Sequence, residues 1–379
     1  MMATERLPVT AIITHLALGG AENVALSLAE RLAGEFRMSF FIILAEGSDT
    51  DVGRGMAARL DDLAIPYAFG AARPFKRGGV IEAAWQLRRF IAAQRPRLLH
   101  VHTEIPELTL ALATMLPGTV SVPVLRTVHN VELWGGWGPV GRWVERRLGM
   151  AAVAGVSNAA LAADDALREA AKLPVLAHLR RRLIYNGVEP RHMVRPARPA
   201  GPQRVLFAGR FEYQKGADLL PAILARTAER TAVPFEVTLM GSGSLHNNLA
   251  HQIAKLPCPT RIMPAVSNLA QRLSEFDVVL MPSRFEGLPL LAIEALLAGV
   301  PVVATSAPGL AEVVPPYDSL SAPVDDVDAI ADALIEYLDK PALYQQRVAA
   351  RLPELQASFL VEGMADHYRD FYMNVMDIQ

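Results

Sequence analysis

Val278-Val279-Leu280-Met281 is an unbroken apolar run, and Val300 to Thr305 is another, with a helical pattern from Leu290 to Ala298 between them. Apolar runs without alternation are strands buried on both faces, and a helix joining two of them makes a parallel βαβ unit. That unit restricts the chain to an α/β fold with helices covering a parallel sheet. The loop from Ser283 to Pro289 carries Glu286, and the following helix carries Glu294. Helix N-termini at the carboxyl ends of parallel strands attract phosphate, because free N–H groups and the helix dipole converge there. A loop carboxylate beside such a place can hold hydroxyls. The unit suits a ligand with both phosphate and polyol parts.

The same alternation runs through the whole chain. Strands are expected at Val9–Thr14, Met38–Leu44, Leu98–His102, Val122–Val128, Ala152–Val156 and Leu183–Tyr185 in the first half. In the second half they are expected at Arg204–Ala208, Glu236–Met240, Thr260–Met263, Val278–Met281 and Val300–Ala304. A chain of 379 residues exceeds what one hydrophobic core usually supports, so two Rossmann-like doubly wound domains are expected. Residues 190–203 hold Pro190, Pro196, Pro199 and Pro202 with no apolar period and read as a linker between domains at 1–189 and 204–360.

Composition narrows the function classes. A net charge of −2 gives no pull toward nucleic acid. The single cysteine, Cys258, rules out an internal disulfide and a cysteine zinc site, which fits a reducing compartment. No signal-peptide pattern opens the chain, and no apolar run reaches the ~18 residues of a membrane span. A cytoplasmic location is expected, with peripheral attachment to the inner membrane face as an addition.

Three further segments carry chemistry. Gly209-Arg210-Phe211-Glu212-Tyr213-Gln214-Lys215-Gly216 follows the first strand of the second domain, ahead of a helix expected to start near Ala217 or Asp218. Arginine offers bidentate donors and lysine a compact charge, so Arg210 and Lys215 together suit a diphosphate. Gly241-Ser242-Gly243 follows the second strand, where glycines permit close backbone approach to a ligand. Gly19-Gly20-Ala21-Glu22 follows the first strand of the chain and opens a helix ending near Leu32, a turn suited to an anion or a sugar.

The stretch Pro282-Ser283-Arg284-Phe285-Glu286-Gly287-Leu288-Pro289-Leu290, with Glu294 and the Gly299-Val300-Pro301-Val302-Val303 strand behind it, resembles the signature of the family-4 glycosyltransferases. The resemblance implies a GT-B fold, two Rossmann-like domains facing across a cleft, with the last helix, Val361 to Met376, packing back on the N-terminal domain. It implies a retaining enzyme that moves a hexosyl unit from a nucleoside diphosphate sugar to a hydroxyl acceptor, in polysaccharide or glycolipid synthesis. A UDP-sugar is expected ahead of GDP-mannose. By the same resemblance Arg210 and Lys215 bind the donor phosphates, Glu286 orients the sugar, Glu294 holds the ribose and His129 reaches the reaction centre. Gly19, Gly20, Gly209, Gly241, Ser242, Gly287, Leu288, Pro289 and Leu290 complete the donor site, and Met263 to Ser267 meets the base. No metal or other cofactor is expected. Asp49-Thr50-Asp51 and Asp326-Val327-Asp328 match the Asp-x-Asp triplet of other glycosyltransferases but read as structural, the second as a helix start.

His100 and His102 are expected on opposite faces of their strand, and so not to share a metal ion, with His100 or His102 lining the cleft. Ser157-Asn158 and Asn186-Gly187-Val188 resemble further family turns and read equally well as structural. The pattern departs from the family at Ala307-Pro308-Gly309, in place of a Gly-Gly pair ahead of Glu312, and at Pro316-Tyr317-Asp318-Ser319-Leu320. Both departures bear on the sugar end of the donor. Rival readings are a GT-B epimerase acting on a nucleotide-amino sugar and a non-catalytic nucleotide-sugar binder. The acceptor is expected to be a glycan or a lipid-linked hydroxyl. Trp134, Trp137 and Trp143, interleaved with Arg142, Arg146 and Arg147, suit either docking on an anionic membrane surface or packing in the core or cleft.

Overall fold

The computed structural model describes residues 6–17, 19–73, 78–117, 121–190, 201–266 and 268–377. It divides into two compact units, Met1–Gly187 with Val361–Gln379, and Val188–Leu360. Residues 191–200, most of the expected linker, lie outside the described residues.

The first unit is built on seven strands: β1 (Leu7–Ile13), β2 (Phe36–Leu44), β3 (Tyr67–Ala71), β4 (Leu98–His102), β5 (Val124–Val128), β6 (Ala152–Gly155) and β7 (Arg181–Leu183). Their order across the sheet is β3-β2-β1-β4-β5-β6-β7, and every pairing is parallel. The second unit holds β8 (Gln203–Ala208), β9 (Phe235–Met240), β10 (Thr260–Met263), β11 (Val278–Met281), β12 (Val302–Thr305) and β13 (Leu320–Ala322). These are ordered β10-β9-β8-β11-β12-β13, again all parallel. Both are doubly wound sheets whose direction of winding reverses once, between β1 and β4 and between β8 and β11. Ligands of such sheets bind outside the carboxyl ends of the strands at that reversal.

Every strand expected from the sequence is present, although the last of the first unit sits at Arg181–Leu183 instead of Leu183–Tyr185. β3 and β13 are additional. Both are edge strands, and neither Tyr67-Ala68-Phe69-Gly70-Ala71 nor Leu320-Ser321-Ala322 is an unbroken large-apolar run. β11 is buried along its whole length, which is why its sequence could be read so directly.

The helix Val361–Asp377 packs on the first unit. Its Tyr368, Phe371 and Tyr372 have no exposed surface. Tyr372 meets the edge of Phe36 with ring centroids 5.4 Å apart, and the Arg182 guanidinium lies over Phe371.

Candidate functional site

At the β8–β11 reversal the two expected loops meet. The loop after β8 carries a single turn of 3-10 helix at Tyr213–Lys215, and the α-helix begins only at Leu220, later than the expected Ala217 or Asp218. The extra turn carries the Lys215 side chain to the loop after β11. There Lys215 Nζ lies 2.7 Å from both Oε1 and Oε2 of Glu286. Ser283 Oγ donates to Glu286 Oε1 at 2.8 Å, and Glu286 is buried. A lysine has three donors, so the pair leaves one for a ligand oxygen. Glu286, expected to orient the sugar, is a carboxylate already held on two sides. The residue spacing could not show this, because the partners are 71 positions apart.

Arg210 is exposed, and its Nη2 donates to Gln214 Oε1 at 2.7 Å. It stands at the end of β8 with most of its guanidinium donors open to solvent. Arg284 had no role in the sequence reading, yet it ties the site together. It pairs with Asp218 and with Asp325 at 2.7 Å each, and it stacks on Tyr213. Glu294 lies half-buried in the helix Leu290–Leu297, whose first turn follows Gly287, Leu288 and Pro289.

Three glycines explain how closely these loops pack. A side chain at Gly216, where φ is +65°, would put its Cβ 1.9 Å from the Pro282 carbonyl oxygen. At Gly241 the Cβ would lie 1.9 Å from the Gly209 oxygen, so the loops after β8 and β9 touch backbone to backbone. Phe211 N accordingly donates to Ser242 O at 2.8 Å. Gly309, in the segment that departs from the family pattern, has φ +80° and abuts the Glu286 and Gly287 carbonyls. Glu286 N in turn donates to Pro308 O at 3.1 Å. The altered segment therefore still braces the glutamate loop. The Met263 carbonyl accepts from Gly241 N at 2.9 Å, and Ser267 lies outside the described residues.

In the first unit, Gly19 and Gly20 open the helix Gly20–Leu32 at the β1–β4 reversal. A Cβ at Gly19 would lie 2.0 Å from the Glu22 carboxylate, so that side chain would have to shift. Glu22 folds back over the turn and lies 3.4 Å from His15, and burial pushes its carboxyl upward. Beside it, Thr103 has φ +71°, a strained value for a β-branched residue, and its hydroxyl meets that of Thr14 at 3.1 Å.

The expectation that His100 and His102 point to opposite faces is wrong. Residues two apart on a strand share a face, and their ring centroids lie 4.0 Å apart with the planes tilted by 41°. No group of three or more side chains placed to hold a metal ion occurs among the described residues. Instead His102 Nδ1 meets His129 Nε2 at 3.0 Å. His100 is bound to Tyr372 and Thr127, each at 2.7 Å. His102 Nε2 is buried with no partner. Burial holds His100 and His129 down to about 3, with the neighbouring His129 ring contributing at His100, so these rings are neutral near pH 7. Arg126, just before His129, is fully buried among Glu107, Glu145 and Asp164.

A profile of the Glycosyltransferase Family 4 matches residues 18–192, and one of the Glycosyl transferases group 1 matches residues 202–340. The chain belongs to the family-4 glycosyltransferases. A glycogen synthase of Mycobacterium tuberculosis is 29% identical over 296 residues, covering 74% of this chain and 69% of that one. A 2-deoxystreptamine N-acetyl-D-glucosaminyltransferase of Streptomyces fradiae is 26% identical, over 76% of this glycosyltransferase and 74% of its own length. Among solved structures, HepE of Anabaena, crystallised with UDP-glucose, superposes with a TM-score of 0.77 at 17% identity, covering 96% and 99% of the two chains. Sucrose-phosphate synthase of Thermosynechococcus elongatus reaches 0.78 at 20% identity over 99% and 100%. Both solved structures are glycosyltransferases of the GT-B type.

Several of the remaining sequence candidates in this glycosyltransferase have structural roles. Asp326 caps the helix Val327–Asp339, and Thr50, between Asp49 and Asp51, caps Asp51–Asp62. Ser157 caps Asn158–Ala170. Gly187 N donates to the Met364 sulfur. The tryptophans divide: Trp134 is buried in the core, Trp143 packs partly on it, and Trp137 is 51% exposed. Arg146 and Arg147 are bound to Ala171 and Thr114. No helix among the described residues is long and apolar enough to cross a membrane.

Proposed function

We propose that this chain is a retaining hexosyltransferase, taking its donor from a nucleoside diphosphate sugar, a UDP-sugar ahead of GDP-mannose, and passing the hexosyl unit to a glycan or lipid-linked hydroxyl. The observation that carries this reading is the Lys215–Glu286 pair at the β8–β11 reversal, with exposed Arg210 beside it. The solved structures of HepE with UDP and with UDP-glucose support it by likeness of fold.

In this reading Arg210 and the remaining Lys215 donor take the charge that develops on the leaving diphosphate, together with the first-turn N–H groups of the Leu290–Leu297 helix. Glu286, fixed by Lys215 and Ser283, is a rigid acceptor for sugar hydroxyls. Glu294 holds the ribose. The acceptor attacks on the face the diphosphate leaves, and the departing phosphate helps remove its proton. His129 is neutral and offers a hydrogen bond to the sugar instead of a charge. With two cations already at the phosphates, no divalent ion is required for the charge.

The test is a panel of UDP- and GDP-sugars with oligosaccharide and prenyl-phosphate acceptors, read by nucleotide release and by the anomeric signals of the product. Retained configuration with a UDP-sugar, unchanged after exhaustive chelation, is expected. Inverted product, or metal-reversible loss of transfer, would overturn the corresponding part. Epimerised donor formed without acceptor would transfer the chain to the rival class.

A further inference from the structure

The strands β4, β5 and β6 have a second end. Their carboxyl ends carry His102, Thr103 and His129. Their amino ends, at Leu99, Val124 and Ala152, line a cavity of about 480 Å³, within the size range of small-molecule sites. A five-residue strand at about 3.3 Å per residue separates the two ends by roughly 15 Å. A molecule held here cannot present a hydroxyl to the His129 end, so the cavity is not an acceptor site.

Its chemistry is two-sided. Ile91, Leu110, Ala113 and Leu148 make a buried apolar floor, and Val375 of the C-terminal helix adds a wall. It opens to solvent at Met150, which lines it while 75% exposed. Three arginines, Arg88, Arg147 and Arg180, line it too, and no aspartate or glutamate does among the described residues. Two of them are anchored at the mouth: Arg147 Nε and Nη2 donate to Thr114 at 2.9 Å, and Arg180 Nη1 donates to the Met150 carbonyl at 2.5 Å. Each guanidinium has five donors, so most stay open. With no ion pair to any of the three among the described residues, the like charges around one apolar recess favour an anion, and guanidinium groups match carboxylate and phosphate oxygens.

We propose that this cavity binds an amphiphilic anion, a single alkyl or acyl chain with a carboxylate or phosphate head, the chain on the apolar floor and the head on Arg88, Arg147 and Arg180. A recess with a buried floor and a wall from the C-terminal helix admits one chain, whereas a bilayer would need an open apolar surface.

The test is calorimetric titration of the full chain with dodecyl phosphate below its micelle concentration. One-to-one saturable binding is expected, at least tenfold tighter than inorganic phosphate or dodecanol. The double variant Arg88→Gln/Arg180→Gln should weaken it at least tenfold. Met150→Glu, at a position exposed enough not to disturb folding, should do the same by repulsion, with an unchanged thermal midpoint as the check. Absence of saturable binding, equal affinity for dodecanol, or undiminished binding by both variants would overturn the proposal. So would co-sedimentation with phosphatidylglycerol vesicles by a protein that ignores the soluble amphiphile, since that outcome describes a membrane surface.

Discussion

Lys215 reaches both oxygens of a buried carboxylate, so removing either partner does two things at once. Lys215→Ala should cost about 1.5–3 kcal/mol of stability through lost charge-assisted hydrogen bonds, and roughly 10²–10³ in kcat through lost stabilisation of the leaving group. Arg210 is exposed, and its guanidinium donates to Gln214. Arg210→Ala should leave stability within about 0.5 kcal/mol while lowering kcat by a similar ~10²–10³. Denaturant melts and steady-state kinetics on both variants separate the roles; equal stability losses, or turnover within a few-fold of wild type in both, would show them wrong. The histidines give a pH prediction. His100 and His129 are held down to about 3, below the ordinary value of 6.5, so the unfolded chain takes up protons that the folded one refuses. Their contribution to stability is complete above pH 6.5 and is lost as pH falls from there toward 3. Ring NMR signals should remain those of neutral imidazole down to about pH 4.5; midpoints near 6.5 would contradict the burial argument.

The loops at the sheet reversal act as one element because their backbones touch. Gly309→Ala would bring a Cβ 2.4 Å from the Glu286 oxygen at a φ of +80°, so the glutamate loop must move. A loss of roughly 1–3 kcal/mol is expected from strain at such a position, together with a raised donor KM. Unchanged melting and kinetics would mean that this segment does not brace Glu286. The secondary elements most legible in the sequence were those buried on both faces, such as β11. β3 and β13 escaped notice because edge strands need not be continuous apolar runs. The late helix start at Leu220 was also hidden, since a 3-10 turn and a first helical turn look alike in sequence.

Across the whole molecule, the C-terminal helix completes the first unit. Tyr368, Phe371 and Tyr372 are fully buried, and the tyrosine hydroxyls hold Thr127 and His100, under the His102–His129 pair. Deleting residues 361–379 would leave that face uncovered. Burying one large side chain contributes about 1.5–3 kcal/mol, so losing three removes an amount comparable with a typical total stability of about 5–15 kcal/mol. Hydrogen exchange on the truncated chain should show the first unit deprotected while β8–β13 stay protected. Full protection of both would mean that the helix is dispensable.

Residue types in order along the chain were enough to determine the parallel α/β class, the two-sheet layout and the positions of the βα loops with their glycines. Those features follow from local periodicity and from the short reach of a turn. Tertiary structure alone decided which loop residues meet. The Lys215–Glu286 pair, the Arg284 clamp and the His102–His129 contact join positions 71, 66 and 27 residues apart. Such pairings depend on sheet order and register, which set strands side by side without leaving a local sequence pattern.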